Sequence, residues 1–286
     1  MTAEDTIKQV GAARSVDDIP DFKAAMVAVH PDRCSLPGAS EAAAKLNKLR
    51  DRREKGDPMR DESGPFLFKE RSVVYSGDAA LLKRSQAGLH KLLALRSPAA
   101  LNFHKYLPSG ASVRPDGSLE VTFRSRVVPL VGLKLDQRHV NWVLSRLLEV
   151  SAWMAQEGFS HGGINPTSVF IDPVSHGIQI ATFYTLARIG EKPPGVSGPF
   201  AHWYPAELFS SKAALPWTDV ELSKRTAVCL LGDKSGVGVR LRADKSVNTD
   251  VIGFVLASHT EPAAAYKAYR DVLARNFKKE YVKLDL

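Results

Sequence analysis

The chain has 286 residues, 44% of them hydrophobic, and 39 Lys and Arg against 31 Asp and Glu leave a net charge of +8. That length and hydrophobic share specify a folded protein of one large or two unequal units and exclude a disordered chain. Cys34 and Cys229 stand far apart without CxxC or Cys/His spacing, which excludes a disulfide framework and a zinc-finger class.

No apolar run reaches the roughly 18 residues of a membrane span. The polar, partly acidic start is unlike a signal peptide, so a cytoplasmic setting is expected.

In chain order, Ile19, Phe22, Met26 and Val29 recur at helical steps and define one apolar stripe, and Ala42, Leu46 and Leu49 define a second. Between them lies HPDRCSLPGAS. Pro31 disfavours the helical region for His30, Pro37 with Gly38 delays the next helix, and Ser40 is a fitting N-cap. The expectation is an antiparallel helical hairpin with a rigid polar tip. Lys45, Lys48, Arg50, Arg52, Arg53 and Lys55 then form a basic strip. A solvated helix face explains it better than a nucleic-acid site, because no aromatic residues interleave for base stacking.

The stretch KGDPMRDESGP reads as a boundary, giving a helical region over 1–57, a linker over 58–64 and a larger unit over 65–286. Beyond it, FLFKERSVVYSG, AALLKRS and SLEVTFRSRVVPLV read as strands, the last introduced by the turn RPDG, with a helix over about 85–96. From Asp136, the residues Val140, Val143, Leu147 and Met154 repeat along a long helix ending near Gly158. SVFID and GIQIATF read as strands, and Thr260, Glu261 and Pro262 open a last helix with Tyr266, Tyr269, Leu273 and Phe277 inside. Strands first and helices later make the larger unit α+β, with lobes over about 65–132 and 133–286.

With His30-Pro31-Asp32 between two amphipathic helices, residues 15–55 resemble the J-domain of DnaJ-type co-chaperones. The resemblance implies that His30, Pro31 and Asp32, flanked by Lys23 and Arg33, dock on a DnaK-type chaperone and stimulate its ATP hydrolysis. One departure is the first hairpin helix, where Lys23 is outnumbered by Asp17, Asp18 and Asp21, against the basic helix usual in that family.

Over about 220 residues the rest resembles a protein kinase with a shortened C-terminal lobe. His161-Gly162-Gly163 and then Ser168 stand where kinases have H-R-D-x-x-x-x-N, and Thr182-Phe183-Tyr184 stand at D-F-G. Pro205, Ala206 and Glu207 end the activation segment, and Asp219 matches the family's helix-buried aspartate. Phosphoryl transfer needs a base for the hydroxyl proton and oxygen ligands for magnesium. Gly163 has no side chain to act as base, Thr182 cannot supply the metal carboxylate, and Ser168 replaces the second ligand. Lys83 would match the phosphate-gripping strand lysine, yet residues 79–115 hold no Asp or Glu to pair with it, and no G-x-G-x-x-G is present. Together these losses imply a pseudokinase with no cofactor and no metal, in which Lys83 would be the one phosphate ligand were a nucleotide to bind. His161, Phe183 and Asp219 are expected in structural roles, and His176 without ligand companions.

The expected function is therefore a non-enzymatic adaptor that recruits a DnaK-type chaperone to a client or partner protein held by the pseudokinase module. A divergent nucleotide-using transferase, with Asp172 as a displaced metal ligand, and a nucleic-acid-binding protein are the alternatives.

Overall fold

Thr2 opens the first helix: its hydroxyl accepts from Asp5 N at 3.1 Å while the Asp5 carboxylate accepts from Thr2 N at 3.1 Å, a reciprocal cap on α1 (Ala3–Ala12). The computed structural model describes residues 2–13, 18–55, 58–69 and 71–286, without the side chains of 51–55 and 58. Asp17, residues 56–57 of the expected boundary and the side chains of Arg52, Arg53 and Lys55 in the basic strip lie outside that description.

The chain divides into a unit of residues 1–59 with 67–69 and a unit of 60–66 with 70–286. In the first, α2 (Phe22–Ala28) starts from Asp21, whose carboxylate accepts from Ala24 N at 2.8 Å. A turn leads to α3 (Ala39–Lys55), entered through Gly38 at φ +85°. Ser40, expected as the cap, lies inside the first turn of α3 instead, because the positive φ of Gly38 already makes the entry. The two expected stripes do not close on each other alone. The α1 helix adds Val10 to a core in which Ala25, Val29 and Leu46 are fully buried, while Phe22 and Met26 sit at its edge. An α1 so rich in polar residues buries only Thr6 and Val10 fully, with Ile7 partly buried beside them, too few to show as a stripe.

A five-stranded sheet is made of β1 (Pro58–Arg60), β2 (Pro65–Lys69), β3 (Ser72–Tyr75), β4 (Gly110–Val113) and β5 (Leu119–Thr122) in the order β1-β2-β3-β5-β4. Both β3 and β4 run antiparallel to β5. Residues 58–64, expected as a linker, hold the edge strand β1 and the turn that follows it, and the boundary between the two units falls within them, between residues 59 and 60. Pro58 is tolerated there because the first residue of an edge strand needs no ladder N–H.

AALLKRS is not a strand. Asp78 accepts from Ala80 N at 2.8 Å and Leu81 N at 3.0 Å and starts α4 (Ala79–Leu93), so the helix expected over 85–96 begins earlier. A short apolar run has no decisive period, and the cap settles the matter in favour of helix.

After α4 come α5 (Pro98–Phe103), β6 (Val128–Pro129) and α6 (Gln137–Gln156), the last capped by Asp136 through Arg138 N at 2.9 Å. Then follow β7 (Phe159–Ser160), β8 (Val169–Ile171), β9 (Ile178–Ile180), β10 (Ala187–Arg188), α7 (Ala206–Ser211), α8 (Thr218–Leu230), α9 (Thr249–Leu256) and α10 (Pro262–Asn276). Small sheets form in the orders β6-β8-β9 and β10-β7. The buried face of α10 is Pro262, Ala265, Tyr269 and Val272, so Tyr266 and Leu273 border the stripe rather than fill it.

The expected lobe division near residue 132 lies inside the unit of 60–66 with 70–286. Pairing of β6 with β8 and the packing of both Phe66 and Phe123 against Phe170 tie the early strands to the later ones. Mixed helix and antiparallel sheet is the observed class, and no described helix is long and apolar enough to cross a membrane.

Candidate functional site

Just beyond the end of α6 stands Gly158, whose φ of +80° turns the chain into β7 and the buried loop 161–168. Asp219, in the first turn of α8, reaches that loop rather than capping its own helix. Its carboxylate accepts from His161 N at 2.6 Å, Gly162 N at 2.7 Å and Ser160 Oγ at 3.2 Å. Burial still dominates those bonds and pushes its carboxyl up to about 6.

The remaining backbone groups of His161–Gly163 are all paired. His161 O accepts from Thr185 Oγ1 at 2.9 Å, and Gly162 O from the Tyr204 hydroxyl at 2.6 Å. Gly163 N donates to His161 Nδ1 at 3.1 Å, and Gly163 O accepts from Ser168 Oγ at 2.8 Å and Asn165 Nδ2 at 3.2 Å. With Nδ1 accepting, the imidazole proton sits on Nε2 and is donated to Thr182 O at 2.6 Å. Burial lowers the His161 pKa to about 4, so the ring is neutral at physiological pH.

Chemically, this loop is full. A Cβ on Gly163 would fall inside van der Waals contact with Thr185 Oγ1, so the position at which the kinase resemblance implied a base is taken by packing. The Ser168 hydroxyl is committed to Gly163 O and to Asn165 N, which donates to it at 3.0 Å. Thr182 offers its carbonyl to His161 and has no carboxylate. These residues do not fit the magnesium ions of a phosphotransferase, which need carboxylate or amide oxygens. Asn165, unremarked in the sequence, anchors the turn by accepting from Thr167 N at 2.8 Å and Ser168 N at 3.2 Å. An N-P-T-S run after a glycine pair is the signal for such a side-chain turn.

Phe183 is fully buried and edge-on to the His161 ring, 5.2 Å between centroids. Helix α4 holds it from the other side: Ser85 Oγ accepts from Phe183 N at 2.9 Å, and a Cβ on Gly88 would come within 2.8 Å of the Phe183 Cβ and carbonyl. Next in the chain, the Tyr184 hydroxyl lies 2.8 Å from Asp61 Oδ2 and 2.6 Å from Glu62 Oε2, both in the turn after β1. Two carboxylates therefore face the segment that lacks one. No sequence pattern joins residues more than 120 positions apart.

Lys83 is exposed on α4, and β3 holds no lysine, so the match to a strand lysine fails because its segment is helical. Glu207 is exposed in the first turn of α7. Asp172 is occupied in a turn, accepting from Val174 N at 2.8 Å and Ser175 N at 3.2 Å. His176, expected without companions, is buried at φ +53° with the His139 ring 5.3 Å and Trp142 4.4 Å away, and no metal-holding group of three or more His, Cys, Asp or Glu side chains occurs among the described residues.

In the first unit, His30, Pro31 and Asp32 project from the turn after α2, with exposed Lys23 and Arg33 nearby in sequence. Arg33 N and Cys34 N both donate to His30 O at 2.9 Å, which fixes the turn. His30 Nδ1 accepts from Asp32 N at 3.3 Å and lies 3.6 Å from the Asp32 carboxylate, and Nε2 has no partner among the described residues.

The solved structure of vaccinia related kinase 3 is similar to this chain at 15% identity, covering 77% of this chain and 92% of that one, with a TM-score of 0.44. No protein-family profile matches the chain. No curated protein matches it.

Proposed function

We propose that the protein is a non-catalytic adaptor, in which a kinase-like module without phosphotransfer chemistry holds a partner or client protein and a J-domain-like tip recruits a DnaK-type chaperone. The observation that carries the first half is the complete internal pairing of His161–Gly163, with Thr185 filling the space beside Gly163. A loop whose polar groups all serve the fold has none left for a substrate hydroxyl.

Support for the second half is local. His30-Pro31-Asp32 is exposed on a turn fixed by two backbone bonds, and Pro31 withholds a donor there, leaving an imidazole and a carboxylate for hydrogen bonds across an interface.

The test is chaperone ATPase stimulation by the full-length chain beside its His30→Gln variant. Stimulation by the wild type that the variant loses is the expected result, and equal rates with and without the wild type contradict the reading.

A further inference from the structure

The turn after β1 is rigid before it does anything else. Asp61 Oδ1 accepts from Ser63 Oγ at 2.7 Å, Ser63 N at 2.8 Å and Gly64 N at 3.3 Å. Ser63 O accepts from Asp78 N at 2.9 Å, and Gly64 (φ +140°) packs backbone to backbone on Gly77 (φ +131°), where any Cβ would collide with the facing carbonyl. Turn and α4 entry are thus locked together, and Asp61 Oδ2 and Glu62 are held toward Tyr184.

What they meet there does not balance their charge. One phenol hydrogen is shared between Asp61 Oδ2 and Glu62 Oε2. Glu62 Oε1 is buried without a partner, and so is the hydroxyl of Tyr75, a fully buried residue within electrostatic reach of both carboxylates. Among the described residues no ion pair reaches Asp61 or Glu62. Burial raises both carboxyls, and buried acceptors left this way are relieved either by a proton or by a bound cation.

We propose that Asp61, Glu62, Tyr184 and Tyr75 form a binding site for one hard divalent cation. Carboxylate and phenol oxygens with no sulfur or imidazole select magnesium, manganese or calcium over softer metals. Two carboxylates rather than three mean that water completes the shell, the pattern of a weak magnesium-type site. The ligands come from the β1 turn and from Tyr184, not from the positions where the kinase resemblance implied metal ligands, and binding there requires no phosphoryl transfer.

The experiment uses the full-length chain. Titration with Mg2+ or Ca2+ is expected to raise the melting temperature, and Tb3+ is expected to show tyrosine-sensitised luminescence that either ion displaces. Glu62→Gln should weaken both responses at least tenfold. No cation response in the wild type, or an equal response in a folded Glu62→Gln variant, overturns the proposal. Mn2+ broadening of ring NMR signals in the wild type decides the point without any variant: Tyr75 and Tyr184 should broaden first, and broadening of other tyrosines ahead of them overturns it. These readouts involve neither chaperone nor ATP, so their failure is separate from failure of the adaptor reading.

Discussion

Asp219 holds His161 by its backbone N–H at 2.6 Å, and both residues are fully buried, so the α8 aspartate fixes the conformation of a loop 58 positions earlier in the chain. The pair also has opposed proton preferences. Burial raises the Asp219 carboxyl from 3.8 to about 6, so its contribution to stability is present at low pH and lost as pH rises through that window. Burial lowers His161 from 6.5 to about 4, so its contribution is present above pH 6.5 and lost as pH falls toward 4. Each effect is worth about 3 kcal/mol, and in the wild type they nearly cancel. Asp219→Asn leaves the histidine effect alone. Urea denaturation from pH 7 to 4 should show the variant losing stability more steeply than the wild type, and parallel curves would contradict the assignment.

Helix α4 and Phe183 share two contacts that single substitutions can separate. Gly88→Ala puts a methyl within 2.8 Å of the Phe183 carbonyl and Cβ and should cost about 1–3 kcal/mol through overpacking. Ser85→Ala leaves the Phe183 N–H buried and unpaired, at about 1–3 kcal/mol. Because both act on one residue, the double variant should depart from additivity. Equilibrium denaturation of the four proteins in the cycle measures the coupling, and strict additivity would mean the two contacts are independent.

The seven-residue α2 leans on its cap. Asp21→Ala removes the carboxylate that accepts from Ala24 N at 2.8 Å and should cost about 1 kcal/mol. Amide hydrogen exchange should accelerate about fivefold in α2 while α6 is unchanged, and uniform protection across both helices would deny the cap its role.

At the tip, exposure separates stability from recognition. His30→Gln changes an exposed side chain and should shift stability by no more than about 0.5 kcal/mol, as read by thermal melting. A large destabilisation would show that the tip is a structural element of the first unit rather than a presented surface.

Much of this was legible in the sequence where one physical rule acted alone. The stripe of α6 follows a helical period over five turns, whereas the structural roles expected of Asp219, His161 and Phe183 came from the kinase resemblance and not from a period. The α4 helix was hidden because AALLK is too short for a period to be decisive, although Asp78 before Ala79 was an available cap signal. The α1 helix was hidden for another reason, having only Thr6 and Val10 to bury fully and Ile7 in part. Asp61 and Glu62 were unreadable in principle: in KGDPMRDESGP they are two acids in a polar turn, and only folding brings Tyr75 and Tyr184 to them.

The most direct measurement is radiolabel transfer from γ-labelled ATP with magnesium to the chain itself and to a generic protein substrate, for the wild type and for Gly163→Asp with Thr182→Asp. No transfer above a protein-free control is expected from either, the variant included, because an aspartate at 163 must displace Thr185 and with it the bond to His161 O. Magnesium-dependent transfer by the wild type, proportional to enzyme concentration, would contradict the claim that this loop serves structure and not catalysis.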